Sequence, residues 1–135
     1  MAEALARRYA AERRQAVEAR SAGVQAIPGN PAAPNAVRAI REVGGDLSEH
    51  QSQPVSDELV TWADRILVME LRHASDMRDQ FPAADEKVQM LGTFGGLMEL
   101  DDPYTGWIFR YRRSRDDIRR CVEGFMDTLA ARPVR

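Results

Sequence analysis

The strongest hydrophobic pattern lies near the C-terminal end of the chain. Ile118, Cys121, Val122, Phe125, Met126 and Leu129 recur three and four residues apart. That spacing puts one apolar stripe on a helix predicted over residues 110–131. Residues 2–15 are rich in Ala and Arg, both good helix formers, and Leu5 and Tyr9 share one face. The run Ala-Val-Glu-Ala-Arg-Ser-Ala at 16–22 reads as a short strand ending at Gly23. Residues 27–34 are crowded with Pro and Gly and predict a loop. A helix over 35–43 turns Val37, Ile40 and Val43 inward, with Gly44-Gly45 as its terminator. Residues 46–55 are polar and irregular. Ser56 is placed to cap a helix carrying Leu59, Val60 and Ala63. The continuous apolar run within Arg65–Met69 predicts a strand buried on both faces. A helix over 71–79 stops before Phe81-Pro82, Val88–Leu91 forms another strand, and a loop runs from Gly92 to about Gly106.

Strands alternating with helices predict an α/β fold with a parallel sheet. At 135 residues the chain has room for one domain, 1–135, and not for two. The alternation is nevertheless uneven: five helices accompany three strands, and the first element is a helix. Its start, Met1-Ala2, offers no side-chain acceptor for a helix cap. Because such a domain ordinarily opens with a strand that feeds its first helix, the sequence reads as starting too late.

Charge and composition narrow the function. Nineteen Lys and Arg against 21 Asp and Glu give a net charge of −2, so the chain as a whole is not a nucleic-acid binder by electrostatics. The longest strongly apolar run, Ile66–Met69, is far too short to cross a membrane. The Ala- and Arg-rich start has no apolar centre of the kind a signal peptide needs. A lone cysteine, Cys121, excludes an internal disulfide framework and a CxxC pair. The expected compartment is the cytoplasm. No motif calls for a metal or cofactor, and none is expected.

Three stretches, taken in order, resemble the low-molecular-weight protein tyrosine phosphatase family. They are Met1–Leu5 followed by Ser21-Ala22-Gly23, then Asp46–His50 followed by Ala63–Met69, then Asp102-Pro103-Tyr104 ahead of the long C-terminal helix. Each stretch alone is weak, but the ordered set spans the chain. The resemblance implies a Rossmann-like three-layer domain with a short parallel sheet of four strands. The family's first strand and its Cys-x5-Arg-Ser loop precede a Met-Ala-Glu-Ala-like helix start, and this chain begins at that methionine. In such a loop, consecutive backbone N–H groups and a helix N-terminus cradle the phosphate, a lowered-pKa thiolate attacks phosphorus, and an arginine clamps the transition state. None of these groups can be assigned here, because Arg7, Arg8, Arg13 and Arg14 lie in or beyond the first helix.

The resemblance assigns roles to four residues. Asp102 becomes the general acid, although by position alone it reads rather as a turn aspartate before proline, with Asp101 beside it as a confounder. Tyr104 becomes a wall of the substrate pocket rather than a simple loop tyrosine. Ser21 and His50 become supports of the phosphate loop rather than surface loop residues. His73 has no assigned role and reads as a solvated helix residue. Cys121, in the middle of the apolar stripe, reads as core packing and not as a nucleophile. The basic run Arg110, Arg112, Arg113, Arg115, Arg119 and Arg120 reads as a solvated helix face. Two positions depart from the family. Gln53 stands where an arginine is frequent, and an aromatic pocket residue is missing near Ile27. The second departure weakens phosphotyrosine as substrate and admits phosphoarginine.

The resemblance therefore implies a protein phosphatase acting on a phosphorylated protein, with the nucleophile loop outside this chain and the chain as written inactive. A non-catalytic binding protein on the same scaffold is one alternative. An arsenate reductase using an external thiol is another. The family's sheet places its first strand between the strands expected at 16–22 and 65–69. Without it, this chain is expected to fold poorly or to pair those two strands directly.

Overall fold

In a computed structural model the described residues are 1–130. Five α-helices run in the order α1 (Ala2–Arg13), α2 (Pro34–Glu42), α3 (Asp57–Trp62), α4 (Leu71–Gln80) and α5 (Ile108–Ala130). Two strands, β1 (Ile66–Val68) and β2 (Val88–Met90), pair in parallel with Ile66 opposite Val88 and Val68 opposite Met90. Tight 3₁₀ turns occupy Pro82–Lys87 and Leu91–Gly95. The result is α/β with a short parallel sheet, as the element pattern predicts. The last residue of the predicted final helix, 131, lies outside the described residues.

α5 is the hub. Its stripe contributes Tyr111, Ile118, Cys121, Val122, Phe125 and Met126 to the core, with Ile118 and Cys121 wholly buried. α1 contributes Leu5 and Ala10, and α2 contributes Ala36, Ala39 and Ile40. The 91–95 turn comes against α5 so closely that glycine is required on both sides. A Cβ at Gly124 would press into the Phe94 carbonyl oxygen, and one at Gly95 into the Cys121 sulfur. Phe94 in turn stacks edge-on against Phe125, ring centres 5.1 Å apart.

Helix ends follow the local chemistry. The Ser56 hydroxyl accepts the Leu59 N–H at 3.2 Å and starts α3, as predicted. α1 stops earlier than expected because Arg14 adopts the left-handed conformation, φ 53°, and its N–H turns back onto the Ala10 and Ala11 carbonyls. α2 ends where Gly44, φ 84°, reverses the chain, and the Arg8 guanidinium lies where a side chain at Gly44 would be.

Two expectations are corrected. Residues 16–22 form no strand. Side chains from Gln15 to Gly23 do alternate half-buried and exposed, which is the period of a strand, but β1 takes β2 as its partner and not this segment. A direct pairing of 16–22 with 65–69 is therefore absent, and the described sheet has two strands, not three. The segment 46–55 is also less irregular than its polarity suggests. Gly23 N–H donates to the Gln53 carbonyl at 2.9 Å and Val55 N–H to the Gly23 carbonyl at 3.1 Å, a single parallel bridge. Ser52 closes the loop before α2. Its backbone exchanges bonds with Gly29 and Asn30 at 2.8 Å each, and its hydroxyl donates to the Ile27 carbonyl.

α2 and α5 are joined by one carboxylate. Glu42 accepts Arg112 Nε and Nη2 (2.9 and 2.6 Å) and Arg115 Nη1 (2.8 Å). The Arg112 fork, followed by Arg115, holds the Glu42 carboxyl down at about 2 from its ordinary 4.5. Much of the basic run on α5 is thus spent on ion pairs rather than left free.

Two measurements check this packing. Gly124→Ala exchanges a poor helix former for the best one, yet the clash with Phe94 predicts a loss of about 1–3 kcal/mol in denaturant unfolding. Glu42→Gln lowers the thermal midpoint at pH 7. A carboxyl depressed in the folded state stabilises fully above its unfolded pKa and loses that contribution as pH falls. The gap between wild type and Glu42→Gln therefore closes as pH falls from about 4.5 to about 2.

Candidate active site

The loop after the second 3₁₀ turn is pinned to the end of β1. Leu100 N–H donates to the Met69 carbonyl at 2.9 Å, and the Glu99 carboxylate accepts the Leu71 N–H at 2.9 Å at the start of α4. These bonds fix residues 99–102 beside the carboxyl end of β1, the end of an open α/β sheet at which ligands bind. Two neighbouring aspartates follow, and their surroundings differ. Asp101 accepts Arg110 Nε at 3.0 Å and Nη2 at 3.2 Å, and the Ser114 hydroxyl at 3.5 Å. This pairing pushes the Arg110 guanidinium up from its ordinary pKa. Asp102 is exposed, and among the described residues no hydrogen bond or ion pair reaches its carboxylate. Pro103 next to it is buried, and Tyr104 is 84% exposed. The loop returns to α5 through Gly106, whose carbonyl accepts Asn35 Nδ2 from α2 at 3.1 Å.

A second group assembles on the first turn of α1. The Glu3 carboxylate accepts the Ser21 hydroxyl at 3.1 Å, pairs with Arg7 at 3.2 Å and lies 3.8 Å from His50 Nδ1, an ion pair when that imidazole is protonated. Gln53 Nε2 donates to the Ser21 carbonyl at 3.0 Å, so the residue that departs from the family pattern still holds Ser21 in place. Arg7 Nε donates to the Ala19 carbonyl at 3.1 Å and ties the strand-like segment to α1. The groove beside this cluster runs between α1 and the 44–53 segment, past Arg8, Gly44 and His50.

Of the four predicted site residues, the structure brings Ser21 and His50 together on Glu3 and leaves Asp102 and Tyr104 on the loop before α5. No hydrogen bond or ion pair among the described residues joins the two groups. The partner that unites Ser21 and His50 was missed in the sequence. Glu3 stands inside the Met1–Leu5 stretch, but spacing does not show that its side chain folds back toward Ser21. The anchoring of Asp101 by Arg110 was missed as well, although an acidic residue nine positions before a helical arginine was visible. His73 is half-buried, with Nε2 3.3 Å from Glu70, rather than simply solvated.

Cys121 fits its reading as core. It is wholly buried, its thiol donates to the Gly92 carbonyl at 3.6 Å, and burial pushes its pKa up. It is also not the cysteine of a Cys-x5-Arg motif, because Asp127 stands six residues after it. Among the described residues, no group of three or more His, Cys, Asp or Glu converges as a metal site, and no helix is long and apolar enough to cross a membrane.

Known proteins agree on what this fold is. The model of the low molecular weight phosphotyrosine protein phosphatase family matches residues 1–134. A protein-arginine-phosphatase of Bacillus subtilis is 37% identical over 124 residues, 90% of this chain and 82% of that protein. A probable low molecular weight protein-tyrosine-phosphatase of Ralstonia nicotianae, EpsP, is 32% identical over 111 residues, 82% of this chain and 76% of that protein. The crystal structure of a YwlE mutant from Bacillus subtilis superposes with a TM-score of 0.89 at 33% identity, covering 96% of this chain and 88% of the other. The chain belongs to the low molecular weight phosphotyrosine protein phosphatase family.

The sealed environment of Cys121 is open to a direct check. A chromogenic disulfide reagent should label the native chain slower than the denatured chain by on the order of tenfold or more, because both burial and a raised pKa withhold the thiolate.

Proposed function

We propose that this fold carries a protein phosphatase working through a cysteine phosphoenzyme, with Asp102 as its general acid. The observation that carries the reading is the division of labour between the two aspartates. Asp101 is committed to Arg110 and Ser114, while Asp102 is unpaired among the described residues, on a loop held at the carboxyl end of β1. A carboxyl with no such partner is free to give up a proton and take one back. Tyr104, two residues on, is placed to meet the leaving group, and the cluster of Glu3, Ser21 and His50 supports the phosphate loop at the start of α1.

In the first step a thiolate attacks phosphorus and the bond to the leaving group breaks. Asp102 gives its proton to the departing oxygen of tyrosine, or to the departing nitrogen of arginine. In the second step the Asp102 carboxylate takes a proton from water as that water attacks phosphorus. The sulfur–phosphorus bond then breaks and inorganic phosphate leaves. The nucleophile and the arginine clamp belong to a Cys-x5-Arg loop that these 135 residues do not contain. The chain by itself is therefore proposed to be inactive. The substrate is a phosphorylated protein, and the missing aromatic near Ile27 favours phosphoarginine alongside phosphotyrosine.

The test is turnover of p-nitrophenyl phosphate by two proteins: this chain alone, and this chain joined at Met1 to a short apolar strand and a Cys-x5-Arg-Ser loop. The first should show none. The second should turn over, and Asp102→Asn in it should cost about 10²–10⁴-fold in kcat. Turnover by the first, arsenate-dependent thiol consumption without phosphatase action by the second, or an Asp102→Asn variant of full activity would each overturn the reading.

A further inference from the structure

Arg110 stands apart from the rest of the basic run. Arg112 and Arg115 are drawn sideways to Glu42 on α2, and Arg119 to Glu123 on its own helix. Arg110 reaches backward from the first turn of α5 into the loop that carries Asp102. Its fork holds both oxygens of Asp101, on one side of Asp102-Pro103-Tyr104, and its Nη1 donates to the Thr105 carbonyl at 3.4 Å on the other side. The same carboxylate receives the hydroxyl of Ser114, the one buried polar residue among those described.

We infer that Arg110 is a positioning residue, clamping the Asp101–Thr105 turn at both ends so that Asp102 is presented in one place. This inference rests on the reading of Asp102 as the general acid and adds a residue to it. Magnitudes favour positioning over stability. Both partners are about half exposed, 51% and 54%, and an ion pair so exposed contributes little to folding. The turn also has few other restraints. Pro103 is buried, but Asp102, Tyr104 and Thr105 are exposed, and the loop leaves through Gly106 at φ 107°. A planar guanidinium grips the carboxylate with two nitrogens and the carbonyl with a third, a fixed fork that a single ammonium nitrogen does not reproduce, so lysine is not an equivalent residue. A catalytic carboxyl displaced by about 1 Å loses much of its effect, and a two-ended clamp prevents that displacement.

The test compares Arg110→Ala and Arg110→Lys with the unaltered sequence in two settings. In the 135-residue chain, backbone ¹⁵N relaxation should show Tyr104, Thr105 and Gly106 falling to order parameters below about 0.6 in both variants, while residues 111–130 stay rigid. In the chain joined to a Cys-x5-Arg-Ser loop, both variants should lose about tenfold in kcat with KM unchanged. The loss should be larger for phenyl phosphate, whose poorer leaving group depends more on the proton, than for p-nitrophenyl phosphate. Unchanged order parameters, full rescue by lysine, or an equal loss on the two substrates would overturn the inference. Asp102→Asn serves as the reference. If it cripples phenyl phosphate hydrolysis while Arg110→Ala does not, the clamp alone fails. If it too is harmless, the general-acid reading fails and takes the clamp with it.

Discussion

The arrangement depends on how near α5 can come to the Phe94–Gly95 turn. Glycine at 95 and 124 removes the side chains that would hold the two apart, so the Cys121 sulfur and the Phe94 carbonyl fill the contact. That approach sinks the stripe from Tyr111 to Met126 into the core formed with α1 and α2. It also sets where α5 begins, and so where Arg110 and Ser114 meet the Asp101 carboxylate. A helix standing about 1 Å further out would still bury most of its apolar surface, but the loop would have no fixed point to fold against. Packing at the middle of α5 and chemistry at its start are therefore one problem.

The electrostatics of the site follow from the same helix. Six arginines crowded into eleven positions of one helix would repel one another, and the fold gives most of them a carboxylate partner. Glu42 takes Arg112 and Arg115, Asp101 takes Arg110, and Glu123 takes Arg119. Asp102 is passed over in this distribution. Glu42, held by two guanidinium groups, keeps its charge down to low pH.

Elements with a strong period were legible in the sequence. The α5 stripe, the Ser56 cap, the Gly44 terminator and the apolar run of β1 each have a local physical cause and each appears where its cause predicts, although in β1 only Val68 is fully buried and Ile66 and Leu67 are half-buried rather than enclosed on both faces. Residues 16–22 show the limit of such reasoning. Alternation along the segment is real and is visible in its burial, but a strand is defined by a partner, and no property of one segment reveals whether a partner is beside it. Ser52 shows another limit, since its backbone and its hydroxyl together join it to a 27–30 loop more than twenty positions away. At the candidate site, the match of Asp102-Pro103 to the family's motif singled out Asp102 over Asp101, whereas the binding of Asp101 by Arg110 and Ser114 needed the fold. Likewise Ser21 and His50 were marked as a pair of supports, while the Glu3 carboxylate on which they meet needed the fold.

One further consequence concerns the order in which the protein is made. Tyr9 on α1 donates to Asp127 on α5 across 118 positions, and Gln15 reaches the Met126 carbonyl across 111. Helix α1 thus makes its longest-range contacts with α5, the last helix described. At about 5–20 residues per second, α1 and α2 wait on the order of several seconds with their apolar faces uncovered before α5 emerges from the ribosome. For this topology, assembly of the core is a late event in translation, and the nascent chain is most vulnerable just before α5 is complete.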